Sequence, residues 1–563
     1  MIRIGNASGF YGDRFAAWQE MLDGGPLDVL TGDYLAELTM LILGRDRLKD
    51  PSLGYARTFL RQMEQCLGTA LDRGVRIVTN AGGLNPEGLA AALDSLAARL
   101  GLRAGIGYVA GDAADRDAAY PGALAANAYL GAFGIASCLD AGADVVVTGR
   151  VTDASLVVGP AIAHFGWGRT DFDALAGATV AGHVLECGPQ ATGGNFSFFT
   201  ELPDGGRRPG FPIAEVHVDG STVITKHPRT GGAVNVDTVT AQLVYEVGGP
   251  AYLGPDVVTH LDSVTLASDG PDRVRVTGVR GTPPPPTLKV GVNTLAGFRN
   301  AMTFVLVGLD IEAKAALVRA QLEAAVGTDG LAFTLTRTDD GALLRAQIHD
   351  ADGKRAGRAF STAAVELALA SYPGCFLTTP PSDASPYGVF TADAVPQREH
   401  VAVHPDGVPA AIPAPTITAA PEEAASVPGG PSQGRPPREV GTRSGDKGPD
   451  ANVGVWARSD DEYARLRAWL TADRFAELLP ETAGRPLERY ELPNLRAVNF
   501  VVRGLLASPA QMDPQAKGLG ERLRAQIAEL SRVAAGEPLV TEVARRATGP
   551  ARASEINVNQ MGV

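Results

Sequence analysis

Between Gly182 and Phe196 the chain reads GHVLECGPQATGGNF, which sets a histidine, a glutamate, a cysteine, a glutamine and an asparagine among four glycines. Glycines let a backbone turn sharply and approach a ligand, and the polar side chains between them can point at it. A glutamate whose pKa is raised by burial can act as general acid or base near neutral pH, which makes Glu186 the first candidate for proton transfer. His183, three residues earlier, could carry a proton, and Cys187 could be a nucleophile if held as a thiolate. Each also has a plainer role. Cys187 could be a small apolar residue, His183 a core or cap residue, and Glu186 an ion-pair partner for Arg150.

Something must position this stretch, and over about the first 165 residues short apolar strands alternate with amphipathic helices. Each strand runs into small and polar residues: Asn6 and Ser8, Asp33, Asn80, Asp112, then Arg150 and Asp153. Repeated strand–helix units predict a mostly parallel sheet with helices on both faces, and such sheets bind ligands at the carboxyl ends of their strands. Strand-to-helix turns are rich in Asp, Asn and Gly for local reasons too, but their recurrence along one edge favours a shared site. Arg150 with Asp153 could clamp a carboxylate or phosphate; the alternative is a self-contained ion pair with Asp153 capping a helix. Asn80 and Asn195 are candidates to orient a carbonyl, and Asn6, Asp33, Asp112 and Gln190 complete the substrate-binding set.

The pattern changes after residue 210. Strand pairs, a helix over about 311–326 and further mixed signals to about Tyr372 predict an α+β part over 211–404. A tract rich in Pro, Ala, Gly and Ser over 405–440 reads as a linker. Beyond it, strand and helix signals predict a small ferredoxin-like α+β sandwich over 441–545, followed by a polar tail over 546–563. At its start Arg443 and Ser444 precede Asp446 and Lys447 in a glycine turn, RSGDKG. These residues could reach the large-domain site or bind a CoA phosphate; the plainer reading is a turn with a local Asp bond.

Composition narrows the function. The chain has 563 residues and a net charge of −13, which argues against nucleic acid or an anionic membrane as main partner. There is no apolar run of membrane-spanning length, and Met1 leads straight into a strand, so a cytoplasmic protein without a signal peptide is expected. The four cysteines form no CxxC pair, and Cys66 and Cys138 read as core. No metal site, P-loop, GxGxxG turn or nucleophile elbow is found, so no metal and no cofactor are expected beyond CoA as part of a substrate.

Five stretches resemble one family: GDYLAELTM (Gly32–Met40), TNAGGLNP (Thr79–Pro86), VVTGRVTDASL (Val146–Leu156), GHVLECGPQATGGNF and RSGDKG. The chain resembles the acyclic terpene utilisation AtuA family. That resemblance implies a large AtuA domain over 1–404, in two parts at 1–210 and 211–404, and a small AtuA ferredoxin-like domain. It also implies a place in bacterial catabolism of terpenoids such as citronellol and geraniol, by way of acyl-CoA esters. The expectation is an enzyme doing hydratase-, lyase- or isomerase-type proton transfer on an acyl-CoA or related carboxylate, with Glu186, His183, Cys187, Asp446 and Lys447 as catalytic candidates. The alternative is a non-catalytic subunit of an acyl-CoA enzyme such as a biotin-dependent carboxylase. A homo-oligomer is the base expectation.

Overall fold

The computed structural model describes residues 1–417, 425–427, 430–506 and 514–535; part of the linker and the whole 546–563 tail lie outside the described residues. The described residues fall into two units. One takes in Met1–Asn293 and the residues from Phe390 onward, and the other is Thr294–Val389.

In the first unit the expected apolar strands are β1 (Ile2–Asn6), β2 (Val29–Gly32), β3 (Arg76–Thr79), β4 (Ile106–Ala110) and β5 (Val145–Thr148). They pair in parallel in the order β1-β2-β3-β5-β4. The sheet does not stop at residue 210. A hairpin of β6 (Pro212–Val216) and β7 (Thr222–Lys226) adds antiparallel to β1, followed outward by β9 (Arg273–Thr277) and β8 (Thr265–Ser268). At the other edge β10 (His400–Val403) and β11 (Pro409–Ile412) add beside β4, giving eleven strands.

Alternation along the strands divides the core. Leu30, Ile77, Val145 and Val147 face α1 (Ala17–Gly24), α3 (Arg57–Asp72) and α4 (Pro86–Arg99), through Trp18, Phe59, Met63 and Leu93. Val29, Val78 and Val146 face α5 (Phe133–Asp140), α6 (Ser155–Phe165) and α7 (Phe172–Leu185), through Ile135, Val158 and Val180. The helix α2 (Glu37–Lys49) follows β2. Asn85 caps α4, accepting the Gly88 amide at 2.9 Å with Pro86 first in the helix. The stretch expected as a loop over Gly182–Phe196 begins as helix instead: Gly182 to Leu185 form the end of α7, and Gly188–Thr192 is a short 3-10 turn. Gly182 is there for space, since a Cβ on it would lie 2.6 Å from Ala154 Cα.

A helix α8 (Val236–Leu243) leads to the surface on which the small domain sits. That domain has strands β12 (Gly441–Lys447), β13 (Asp450–Trp456), β14 (Leu487–Leu492) and β15 (Ala497–Val502), antiparallel in the order β12-β13-β15-β14. Its helices are α9 (Asp460–Trp469), α10 (Ala472–Leu478) and α11 (Pro514–Ala534). One sheet face buries Val453, Val455, Val498 and Phe500 against Leu466, Phe475, Leu519 and Leu523, which is the expected two-layer sandwich. RSGDKG is not a turn. Arg443 to Lys447 lie in β12, and the chain reverses at Gly448, φ 64°.

The opposite face carries Arg443, Gly445, Asn452, Gly454 and Asn499, and it lies on the segment after α8. A Cβ on Gly454 would sit 2.5 Å from Val244 Cβ, and one on Gly445 would sit 2.5 Å from the Tyr245 ring. Asn452 Oδ1 accepts the Glu246 amide at 2.8 Å, and Asn499 Nδ2 donates to Val247 O at 3.1 Å. The free edge of β12 is covered as well: Thr442 N donates to Ser197 Oγ at 2.9 Å.

In the second unit, Phe298–Val307 and Leu331–Thr338 flank Gly341–Asp350. Met302, Phe304, Leu344 and Ile348 pack on Val318, Leu322, Phe360 and Ala364 from two helices, Ile311–Val326 and Phe360–Ala370.

Because backbone meets backbone at Gly454, Gly454→Val should undock the small domain at a cost of about 1–3 kcal/mol. Limited proteolysis should then release a C-terminal fragment much faster than from wild type, and an unchanged rate would show that close approach at Gly454 is not what holds the domains together.

Candidate active site

The carboxyl ends of β1, β2, β3, β4 and β5 place Asn6, Asp33, Asn80, Asp112 and Arg150 in the interior, each 5% exposed or less. Their bonds interlock. Asn80 Nδ2 donates to Asp33 Oδ1 at 2.7 Å, Leu35 N donates to the same oxygen at 3.0 Å, and Asn80 Oδ1 accepts Tyr34 N at 2.8 Å. Asp112 Oδ2 accepts from Asn127 Nδ2 at 2.7 Å and from the Arg150 amide at 2.9 Å. Asn6 closes its own turn, with Oδ1 accepting the Ser8 amide at 3.0 Å. Arg150 Nη1 reaches Leu35 O at 2.9 Å and Asp153 Oδ1 at 3.0 Å, and its guanidinium lies 4.0 Å from the centre of the Tyr129 ring. Lys289 approaches the same ring at 4.6 Å. Asp153 thus makes the ion pair, but no side chain caps α6.

Burial and charge act in opposition here. Burial alone disfavours the Arg150 charge, yet Asp153, Tyr129, Asp33 and Glu37 together outweigh it and raise its pKa. The carboxylates go the other way. Burial pushes Asp33, Asp112 and Asp153 up, and at Asp33 the charge of Asp153 adds to it.

A second row comes from the end of α7. His183 Nδ1 and Glu186 Oε1 are 3.0 Å apart and both side chains are buried, while the Tyr252 ring stands 5.1 Å from the imidazole. Glu186 therefore pairs with His183. Burial, with Glu186, Asp153 and Glu246 nearby, raises the Tyr252 pKa and keeps it a phenol. Burial likewise pushes the Cys187 thiol up, followed by the charges of Glu186 and Glu246, against which Arg443 is the smaller influence. The two rows touch at Gly9, where a Cβ would lie 2.7 Å from the Cys187 carbonyl carbon and 3.0 Å from Glu186 O.

The small domain supplies the third side. Arg443 is buried from β12, where it stacks 4.2 Å from the Tyr245 ring centre, donates to Asn195 O at 2.9 Å and bonds Gln190 Oε1. Asn195 thus serves through its backbone, in a left-handed conformation (φ 55°) that costs a non-glycine residue about 1–3 kcal/mol. Ser444 turns away from this centre: its hydroxyl donates to Lys517 O at 2.9 Å and accepts the Gly520 amide at 3.0 Å. Asp446 pairs with Ala451 across the hairpin, and the Lys447 side chain lies outside the described residues. Sequence reasoning missed Tyr129, Tyr245, Glu246, Tyr252 and Lys289. They come from strands and turns with no motif of their own. Among the described residues no group of three His, Cys, Asp or Glu side chains is placed to hold a metal ion, and no helix is long and apolar enough to cross a membrane.

Two outcomes follow from the electrostatics. A carboxyl whose folded pKa is raised stabilises the fold below its unfolded value of about 3.9, and that contribution is lost as pH rises through the folded pKa. An amide oxygen can keep both bonds that Asp33 Oδ1 accepts. Asp33→Asn should therefore fold with an equal or higher melting temperature at pH 7 and lose part of the wild-type decline between pH 4 and 7; a lower melting temperature at pH 7 would show that the charge is needed. Cys187 should react with iodoacetamide at pH 7.5 at least tenfold more slowly than a free thiol, by peptide mass spectrometry, and rapid alkylation would restore it as a thiolate nucleophile.

The five quoted stretches now have places: they supply Asp33, Asn80, Arg150 with Asp153, His183 with Glu186, and Arg443 to one buried centre. Residues 2–404 match the family described as acyclic terpene utilisation family protein AtuA, and residues 440–528 match the AtuA ferredoxin-like domain. No curated protein matches the chain. With both family domains matched in order, the large one over most of the sequence, the chain belongs to the acyclic terpene utilisation AtuA family.

Proposed function

We propose that this protein is an enzyme of acyclic terpenoid breakdown that moves protons on an acyl-CoA thioester or a related carboxylate. Family membership supports involvement in acyclic terpene utilisation. The observation that carries the chemistry is the buried His183–Glu186 pair at 3.0 Å, beside a Tyr252 hydroxyl kept protonated by its surroundings. Glu186 takes a proton from the carbon next to the thioester carbonyl, with His183 fixing the carboxylate. Tyr252 donates to the oxygen on which negative charge develops. Arg150, drawn under Tyr129 and held by Asp153, favours an anionic part of the substrate, and Arg443 closes the opposite side. The small-sheet face that a subunit could offer to another enzyme is occupied by this chain's own residues 244–247.

The test is deuterium exchange. The purified protein is incubated in D2O with CoA thioesters of the acids derived from citronellol and geraniol, and label in the acyl chain is followed by mass spectrometry. Wild type should exchange or convert at least one thioester, and Glu186→Gln should slow this by about 10²–10⁴-fold. Full activity in Glu186→Gln would remove the assignment. Inactivity of wild type towards every thioester would favour the partner-subunit reading, for which co-purification with a carboxylase is the check.

A further inference from the structure

Away from the buried centre, about 630 Å³ of space lies between the side of α5, the end of α6 and the hairpin of β10 and β11, a volume in the range of small-molecule sites. α6 starts beside Asp153 and runs 11 residues, about 16 Å, before its end reaches this cleft. None of the groups placed at the centre lines it. Its walls are fixed. The Gly166 amide closes α6 on Ile162 O at 2.8 Å, and the Trp167 indole stacks on Phe165 and donates to Val218 O at 2.9 Å. With Ile162 and Ile412, Trp167 gives the cleft an apolar wall. Polar groups enter from all three elements. Ser137 Oγ and His404 Nε2 are 2.9 Å apart and tie the hairpin to α5, so the cleft is preformed. The Arg169 guanidinium lies 4.2 Å from the centre of the Phe133 ring, and its Nη2 donates to Pro413 O at 2.6 Å.

Arg169 is the group that selects a ligand. It is half-buried and makes no ion pair among the described residues; Asp256, which attracts it, is spent on the Ala132 amide at 2.7 Å. Burial outweighs that attraction and lowers the Arg169 pKa. A single carbonyl uses one of the five guanidinium N–H groups, and an anion would take more of them and restore the counter-charge. Asp140 also lines the cleft. It is exposed and stands about 10 Å along α5 from Phe133, so it opposes an anion at Arg169 only weakly. We propose that this cleft is a second binding site, for a carboxylic acid with a hydrocarbon chain, its carboxylate on Arg169 and its chain along Ile162, Trp167 and Ile412. It goes beyond the reaction proposed for the centre and stands whether or not that reaction is found.

The purified full chain is photolabelled with a diazirine analogue of octanoic acid, and labelled peptides are located by mass spectrometry. Label should fall within residues 133–140, 162–169 or 404–413, which form the cleft. On these peptides octanoate should compete, and octanol, which lacks the charge, should compete about tenfold less well. Arg169→Gln should cut the labelling about tenfold, with melting temperature measured alongside, while Arg169→Lys keeps the charge and should retain more of it. Label confined to other peptides, or equal competition by octanol, would overturn the assignment. Unchanged labelling in Arg169→Gln would do so too, and would leave Arg169 as a tie to Pro413 alone. The competition is read on wild type, so it decides the matter even where Arg169→Gln fails to fold.

Discussion

Taking a guanidinium out of water costs several kcal/mol unless charge and hydrogen bonds replace the solvent, and Arg150 is only 4% exposed. Its replacements come from far apart in the sequence: Leu35 O after β2, Asp153 at the start of α6, and the face of Tyr129. In the sheet β3 lies between β2 and β5, so Arg150 must span two strand spacings, about 10 Å. An extended arginine does that. The intervening strand cannot be idle beneath it, and Asn80 fills the place by holding both Asp33 and the Tyr34 amide. Strand order, turn composition and buried charge are therefore one requirement.

The same economy governs the joint between the domains. A sheet face lined by glycine offers few side chains to bury, but it lets backbone and amide side chains meet closely. Asn452, Asn499 and Ser197 make directional bonds to main chain, which fix orientation more sharply than an apolar contact would. Trp456 adds apolar weight against Phe196 and Phe198. Arg443 can then be delivered to the buried centre from a strand, a stiffer mount than the turn suggested by its glycine-rich neighbours.

Much of this was legible. Short apolar runs ending in Asn, Asp and Arg locate the parallel strands and the residues at their carboxyl ends, because a buried strand leaves its polar residues to the turns. Two local readings failed for a common reason. Gly182 and Gly445 suggest loops by composition, yet each sits in regular structure where a neighbour comes too close for a side chain, the Ala154 backbone at Gly182 and the Tyr245 ring at Gly445. The partner that makes glycine necessary is remote in sequence, so composition cannot reveal it. Glu246, Tyr252 and Lys289 were hidden in the same way: they are brought to the centre by pairings between distant segments, and nothing in their neighbours' spacing signals it.

The clamp on residues 244–247 also has a consequence for timing. A chain is made from its N-terminus, and the large domain can begin to form while the small one is still being synthesised. Until Gly445, Asn452 and Gly454 have left the ribosome and their sheet has closed, nothing holds residues 244–247 in place and Arg443 is not yet beside Gln190. The centre is thus finished only after the small domain has been made. A nascent or truncated polypeptide would carry the helices and strands of the large domain without the finished centre.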